Sequence, residues 1–342
     1  VVTKTLEEDK EKQEPVEGSN CNVPCKYNPV GVLVKEDGTP VPENIGQLRI
    51  PPAWVDIEID ENPDASLLVK GRDSKGRPQY IYTEGFKAQQ TEEKFARVKA
   101  LSDEYEDIHA ENIANIDSDK KEEAECMCVV MGTGIRPGSD SDRKAEVQAY
   151  GATTLEGRHV VVDGDDVSLQ FVGKKGIEAN IPITDDVAKD ILATRAEAVG
   201  PKGRLFDTNA GVLREYSQSL GSGGYKTKDF RTLLGTTAAS EIVSQMPTPA
   251  TKKEYKAQVK TVATEVASKL GNTPAVALKS YINPIVTEPL RKAQKKWESG
   301  VARKRVGRNS NTVKIGRSGA VRGKRGKRRK AVVQSNLVQR FR

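Results

Sequence analysis

The 342-residue chain is polar: 36% of its residues are hydrophobic, 5% aromatic and 30% charged, a composition that fits a protein of two domains with an extended charged surface. Its net charge of +7 hides an asymmetry, because residues 301–342 hold 15 Lys and Arg and no acid, leaving 40 basic against 48 acidic residues before them. A −8 body with a +15 tail points to a polyanion, of which nucleic acid is the largest in a cell. No run approaches the roughly 18 apolar residues of a membrane helix and no basic-then-apolar leader is seen, so the expectation is an intracellular protein away from membranes.

Residues 1–28 mix charges with Pro15, Gly18 and Pro24 and have no sustained period, so they are expected to be disordered. From residue 29 to about 88, short apolar stretches (VGVLV, WVDIEI, QYIYT) alternate with the turn signals EDGTP, DENPD and DSKGR. This pattern predicts a small β-rich domain. The next region, 89–299, turns helical. EEKFARVKAL is amphipathic, and the acidic stretch 102–125 is expected to be a solvated helix face or linker. Ala124, Met127, Cys128 and Met131 recur at helical spacing, which makes Cys128 a core residue. Together with Cys21, Cys25 and Cys126 it is expected to be a reduced thiol, since C-x3-C and C-x-C are not the spacings of common zinc sites.

Within the helical region lies one hairpin, HVVV, VSLQFV and IEANIPI, with Gly173-Lys174-Lys175-Gly176 at its turn. Residues 251–270 predict a helix ended by Gly271, and Thr273-Pro274 opens another by N-cap and Pro at the first turn. Tyr281 then falls about two turns into that helix. Residues 300–342 are expected to be a disordered basic tail, and the class overall is α+β.

Phosphodiester cleavage needs a nucleophile, cations around the phosphate oxygens and an acid for the leaving oxygen. The carboxylates a metal enzyme would use are Asp140/Asp142 and Asp163/Asp165/Asp166, all in turn-like settings where Asp is common anyway. Two histidines, His109 and His159, are too few for a His-based array. GSGGYKT at 221–227 has Tyr225 where a phosphate loop requires Gly. What remains is cationic: Arg136 after a Gly-rich turn, Lys174 at the hairpin tip, and Lys228 and Arg231 three apart on one helix face. Taken singly, each is a residue that a solvated surface also carries.

Together these segments resemble the type IB DNA topoisomerases of the bacterial and poxvirus kind, over roughly residues 45–285 and in the family's order. RIPPAWVDIEI and GRDSKGRPQYIYTEGF resemble its amino-terminal β domain, and GIRPGSD with YGATTLEGRHV the start of its catalytic domain. FVGKKG resembles its general-acid hairpin, KDFRTLLGTTAA its second-arginine helix, and LGNTPAVALKSYINP its nucleophile segment.

The resemblance implies a helical catalytic domain of the tyrosine-recombinase kind and a monomer that clamps duplex DNA with neither metal, cofactor nor nucleotide. Tyr281 would form a 3′-phosphotyrosyl link, Arg136 and Arg231 would hold the non-bridging oxygens, and Lys174 would protonate the leaving 5′ oxygen. Asn272 stands where the poxvirus pattern has His and would donate an uncharged hydrogen bond. Arg72, Lys75, Arg77, Tyr80, Tyr150 and Lys228 would touch the DNA. A nucleoid-associated cytoplasmic protein is expected, or in a eukaryotic host a nuclear or viral-factory one, with KRGKRRK as a candidate address. A tyrosine recombinase remains the rival, although its second arginine lies in H-x-x-R rather than Lys228-x-x-Arg231. A non-catalytic DNA-binding protein is the other.

Overall fold

The computed structural model describes residues 21–143 and 148–291; the amino-terminal 20 residues and the basic tail expected above lie outside the described residues. Five strands form one antiparallel sheet in the order β2-β1-β3-β4-β5: β1 (Val23–Tyr27), β2 (Leu33–Lys35), β3 (Val55–Ile59), β4 (Leu67–Arg72) and β5 (Pro78–Tyr82). Alternation puts Ile57 and Ile59 on the buried face, where they meet Val69 and Ile45 of a single-turn helix α1 (Glu43–Gly46).

β1 corrects the expectation of disorder for the end of the 1–28 stretch. VPCKY is too short and polar to signal itself, but it is hydrogen-bonded to β2 on one side and β3 on the other. Tertiary pairing overrides local composition here.

Thr83 closes β5 and opens α2 (Glu84–Asp103), its hydroxyl accepting from Phe86 N at 3.3 Å. The helix buries Phe95, Val98 and Leu101, the spacing expected of one apolar face. Then come α3 (Tyr105–Ala114), α4 (Lys121–Thr133) and the single turn α5 (Asp140–Arg143).

The acidic stretch is therefore not simply a linker or a solvated face. It ends in α4, the centre of the main core, where Ala124, Cys126, Met127, Val129 and Val130 are fully buried. Arg195 secures it by hydrogen-bonding to both Glu122 and Glu125 and by stacking on Phe206.

A second antiparallel sheet has the order β6-β7-β8: β6 (Val160–Asp163), β7 (Asp166–Gly173) and β8 (Ile177–Pro182). Val167 and Leu169 point into the main core, and a one-turn 3-10 segment, Lys174–Gly176, joins β7 to β8 as the hairpin tip.

The helices α6 (Asp186–Val199), α7 (Ala210–Ser219), α8 (Thr227–Gln245) and α9 (Lys252–Leu270) follow. The last two form a separate cluster with Tyr281 and Ile282. The fold is thus α+β. No helix among the described residues is long and apolar enough to cross a membrane.

Candidate active site

Arg231, on the second turn of α8, is 4% exposed and holds two loops at once. Its Nη1 donates to the carbonyl of Gly134 and its Nη2 to that of Leu270. These carbonyls lie two residues before Arg136 and Asn272, whose side chains are joined by a 2.6 Å bond from Arg136 Nη2 to Asn272 Oδ1. One guanidinium thus fixes the backbones that carry two other candidate site residues.

The glycines near Arg136 permit this closeness. Gly134 caps α4 at φ +63°, and a Cβ there would lie 2.9 Å from Leu234 Cδ2. A Cβ on Gly151 would lie 2.5 Å from both Arg136 O and Gly138 N, so only glycine lets YGATT meet GIRPG. Those segments are laced by Ala152 N to Arg136 O and Thr153 N to Pro137 O, each 2.8 Å.

The nucleophile segment follows from its caps. Gly271 ends α9 at φ +58°, and Asn272 N closes back onto Ala267 O at 2.9 Å, the six-residue bond of a Schellman cap. Thr273 caps α10 (Pro274–Val276), which starts on Pro274 and widens into a π-turn over Ala277–Tyr281. Ile282 N bonds Ala277 O at 3.1 Å. Tyr281 is 8% exposed, and the Arg231 guanidinium carbon lies 4.9 Å from its ring centroid, within cation–π range. Arg136, Asn272, Arg231 and Tyr281 are therefore brought together. The Asn272 Nδ2 donor is buried and makes no hydrogen bond among the described residues.

Four partners of this cluster were missed in sequence. Thr236 Oγ1 donates to Tyr281 O at 3.1 Å and accepts from Asn283 N at 3.2 Å. Lys94 Nζ donates to Ser280 O at 3.1 Å. Asp229, fully buried two residues before Arg231, receives Arg97 at 2.6 and 3.2 Å. Only Asp229, an acid at a buried helix position, left a trace in the sequence; the others are ordinary residues of exposed-looking helices.

The remaining candidates are spread over other elements. Lys174 is half-buried on the β7–β8 tip, and Lys228 half-buried on the first turn of α8. Tyr150 is buried with its ring 4.3 Å from that of His159, and its hydroxyl accepts from Arg158 Nη2 at 2.9 Å. It stands beside an open cleft of about 750 Å³ that Gln148, Arg158, Gln170 and Asn180 also line. Burial first, and Arg158 second, lower the His159 pKa, which favours the neutral imidazole that accepts from Glu156 N at 2.9 Å.

In the β4–β5 turn, Lys75 is exposed while Arg77 bonds Asp73 at 2.7 Å. Arg72 lies 3.5 Å from Asp56. Tyr80 packs against Tyr82, ring centroids 6.2 Å apart.

The four cysteines are free thiols. Burial pushes Cys21 up to about 11 and Cys128 to about 12. No group of three or more His, Cys, Asp or Glu among the described residues is arranged to hold a metal ion.

Comparison with known proteins extends this picture. Residues 83–305 match the family described as eukaryotic DNA topoisomerase I, catalytic core. DNA topoisomerase 1B of Acanthamoeba polyphaga mimivirus is 27% identical over 261 residues, covering 70% of this chain and 77% of the relative. DNA topoisomerase I of monkeypox virus and DNA topoisomerase 1B of vaccinia virus are each 24% identical over 268 residues, covering 74% of this chain and 82% of the relative. The family match spans α2, both candidate arginines, the hairpin lysine and Tyr281, so the chain belongs to the eukaryotic DNA topoisomerase I family and is a type IB DNA topoisomerase.

Proposed function

We propose that this topoisomerase relaxes supercoiled duplex DNA as a monomer, without metal or nucleotide, through a covalent link to Tyr281. The observation that carries this is the placing of Arg231. It lies over the Tyr281 ring while its own bonds hold the loops of Arg136 and Asn272.

In the cleavage step the Tyr281 phenolic oxygen bonds to the scissile phosphorus and the bond from phosphorus to the 5′ oxygen breaks. The phenolic proton passes to water, and the Lys174 ammonium gives its proton to the departing oxygen. Arg136 and Arg231 bind the non-bridging oxygens, where the planar guanidinium suits the charge that builds in the transition state.

The buried Asn272 Nδ2 adds a neutral donor. An unsatisfied buried donor costs about 1–3 kcal/mol, which an incoming phosphate oxygen would relieve. Reversal of the same steps reseals the strand, since the phosphotyrosine keeps the bond's energy, and rotation of the free end between them relaxes supercoils. The helical region is of the tyrosine-recombinase kind, and with the β-rich region it forms a clamp on the duplex.

Two measurements test this. Supercoiled plasmid of either sign should be relaxed in EDTA without nucleotide, and strict dependence on Mg²⁺ or ATP would refute the metal-free mechanism. Tyr281→Phe should abolish the covalent adduct while leaving duplex affinity nearly intact. An adduct trapped on the Phe variant would place the nucleophile elsewhere.

A further inference from the structure

The segment that carries Tyr281 is a π-turn, a wide and uncommon conformation that is frequent at functional sites. It closes by the bond from Ile282 N to Ala277 O. The last carbonyls of any helical segment lack partners within it, and here two of them are met by side chains from distant elements. Ser280 O accepts from Lys94 of α2, 186 residues away, and Tyr281 O accepts from Thr236 of α8, 45 residues away. The Thr236 hydroxyl also accepts from Asn283 N, so a single oxygen brackets the backbone on both sides of Ile282. Gly235 makes room for this, because a Cβ there would lie 3.0 Å from Tyr281 O and 3.1 Å from Tyr281 Cβ.

From these contacts, and resting on Tyr281 as the nucleophile, we infer that Thr236 and Lys94 are positioning residues that hold the π-turn and so aim the Tyr281 hydroxyl. Neither acts on DNA in this role. Lys94 is one turn from Arg97, which grips Asp229 on α8. Helix α2 therefore sets the nucleophile turn and the helix of Arg231 from one face, keeping both in register. The contribution to rate is geometric: attack requires reacting atoms about 3–3.5 Å apart, and a misplacement of about 1 Å can cost about 10²-fold.

The test uses the full-length protein under single-turnover conditions, with saturating enzyme on an oligonucleotide duplex whose short downstream strand is lost on cleavage. Thr236→Val keeps the shape and removes the hydroxyl; Thr236→Ser keeps the hydroxyl. Thr236→Val should slow both cleavage and religation by about 10- to 100-fold, with duplex affinity close to wild type and the melting temperature lowered only by the two backbone groups left unmet, and Thr236→Ser should restore most of the rate. Lys94→Met should show a smaller loss of the same kind that Lys94→Arg restores.

A wild-type rate in Thr236→Val overturns the inference. So does a Ser variant as slow as the Val variant, or a Thr236→Val rate that returns to wild type at temperatures well below its melting transition. Mapping the wild-type adduct separates this from the underlying assignment. An adduct on another residue defeats Tyr281 itself, whereas an adduct on Tyr281 with an undiminished Thr236→Val rate defeats only the positioning role.

Discussion

Two sets of arginines in this molecule are held over different spans of the chain. Arg77, in the β4–β5 turn, is bonded to the carboxylate of Asp73 four residues away, and Arg72 donates to Gly76 O at 3.0 Å and faces Asp56 on the neighbouring strand. Arg136 and Arg231 reach across 136, 97 and 39 residues of sequence, and the bonds described for them go to an amide oxygen and to backbone carbonyls. Ties to distant backbones fix a guanidinium against two loops at once, which suits a group that must meet a phosphate at a fixed place; ties within one turn suit a turn that must keep its shape. The contrast therefore predicts that the first set governs affinity and the second governs rate.

Apart from loss of the nucleophile, the largest effect is expected at Lys174, a cation on the hairpin tip. Lys174→Ala should slow cleavage by about 10²- to 10⁴-fold, the range for losing a general acid, with little change in duplex affinity. A substrate with a 5′-sulfur leaving group, which needs no proton, should recover most of the rate. Persistence of the defect on that substrate would move Lys174 out of the acid role and into the affinity set.

Next comes Arg231. Arg231→Ala should cost about 10²- to 10³-fold in cleavage, as for loss of one transition-state donor. It should also lower the melting temperature, because the carbonyls of Gly134 and Leu270 each lose the donor that Arg231 supplies. Arg231→Lys should rescue neither, since a single ammonium cannot span two carbonyls and meet a phosphate as the planar fork does. A Lys variant with near-normal cleavage would show that charge alone, and not the bridging geometry, is what the site uses.

What was legible in the sequence follows the same divide. Gly271, Thr273 and Pro274 are local signals, and the caps they predicted are in place. The hairpin was also readable, because β8 alternates strictly, β7 alternates up to Phe171, and their turn is marked by glycines. The widening of the Tyr281 helix into a π-turn was not readable, since its distant ties are Thr236 and Lys94, and no local period records a contact 186 residues long. Strand β1 escaped for the same reason, being defined by its two neighbours rather than by its own residues. Tyr281, Arg136, Lys174 and Arg231 stood out as residue types in motifs and Asn272 through the resemblance; the bonds from Arg231 to Gly134 and Leu270, which tie the loops of Arg136 and Asn272 to α8, left no such signal.

The smallest expected effect tests the turn itself. Arg77, with the Lys75 and Arg77 amides adding, holds the Asp73 carboxyl down at about 2. A folded pKa lowered in this way means the pair persists above that value and is lost only as pH falls through it, so ordinary acidification will not release Arg77. Substitution will. Asp73→Asn keeps an oxygen to accept from the amides of Lys75 and Arg77, now at 2.9 and 3.0 Å, so the turn should survive. It removes one negative charge and the Arg77–Asp73 ion pair. If this turn meets the duplex, the charge lost beside Arg77 lets the turn neutralise about one more phosphate. The plot of log affinity against log salt should then steepen by about 0.9, with tighter binding at low salt and an unchanged single-turnover cleavage rate. An unaltered slope would mean that the turn faces away from DNA and that Arg72 and Arg77 serve only the fold of the sheet. A changed cleavage rate would break the division between the two sets of arginines, because a local, carboxylate-bound arginine would then be acting on chemistry rather than on binding.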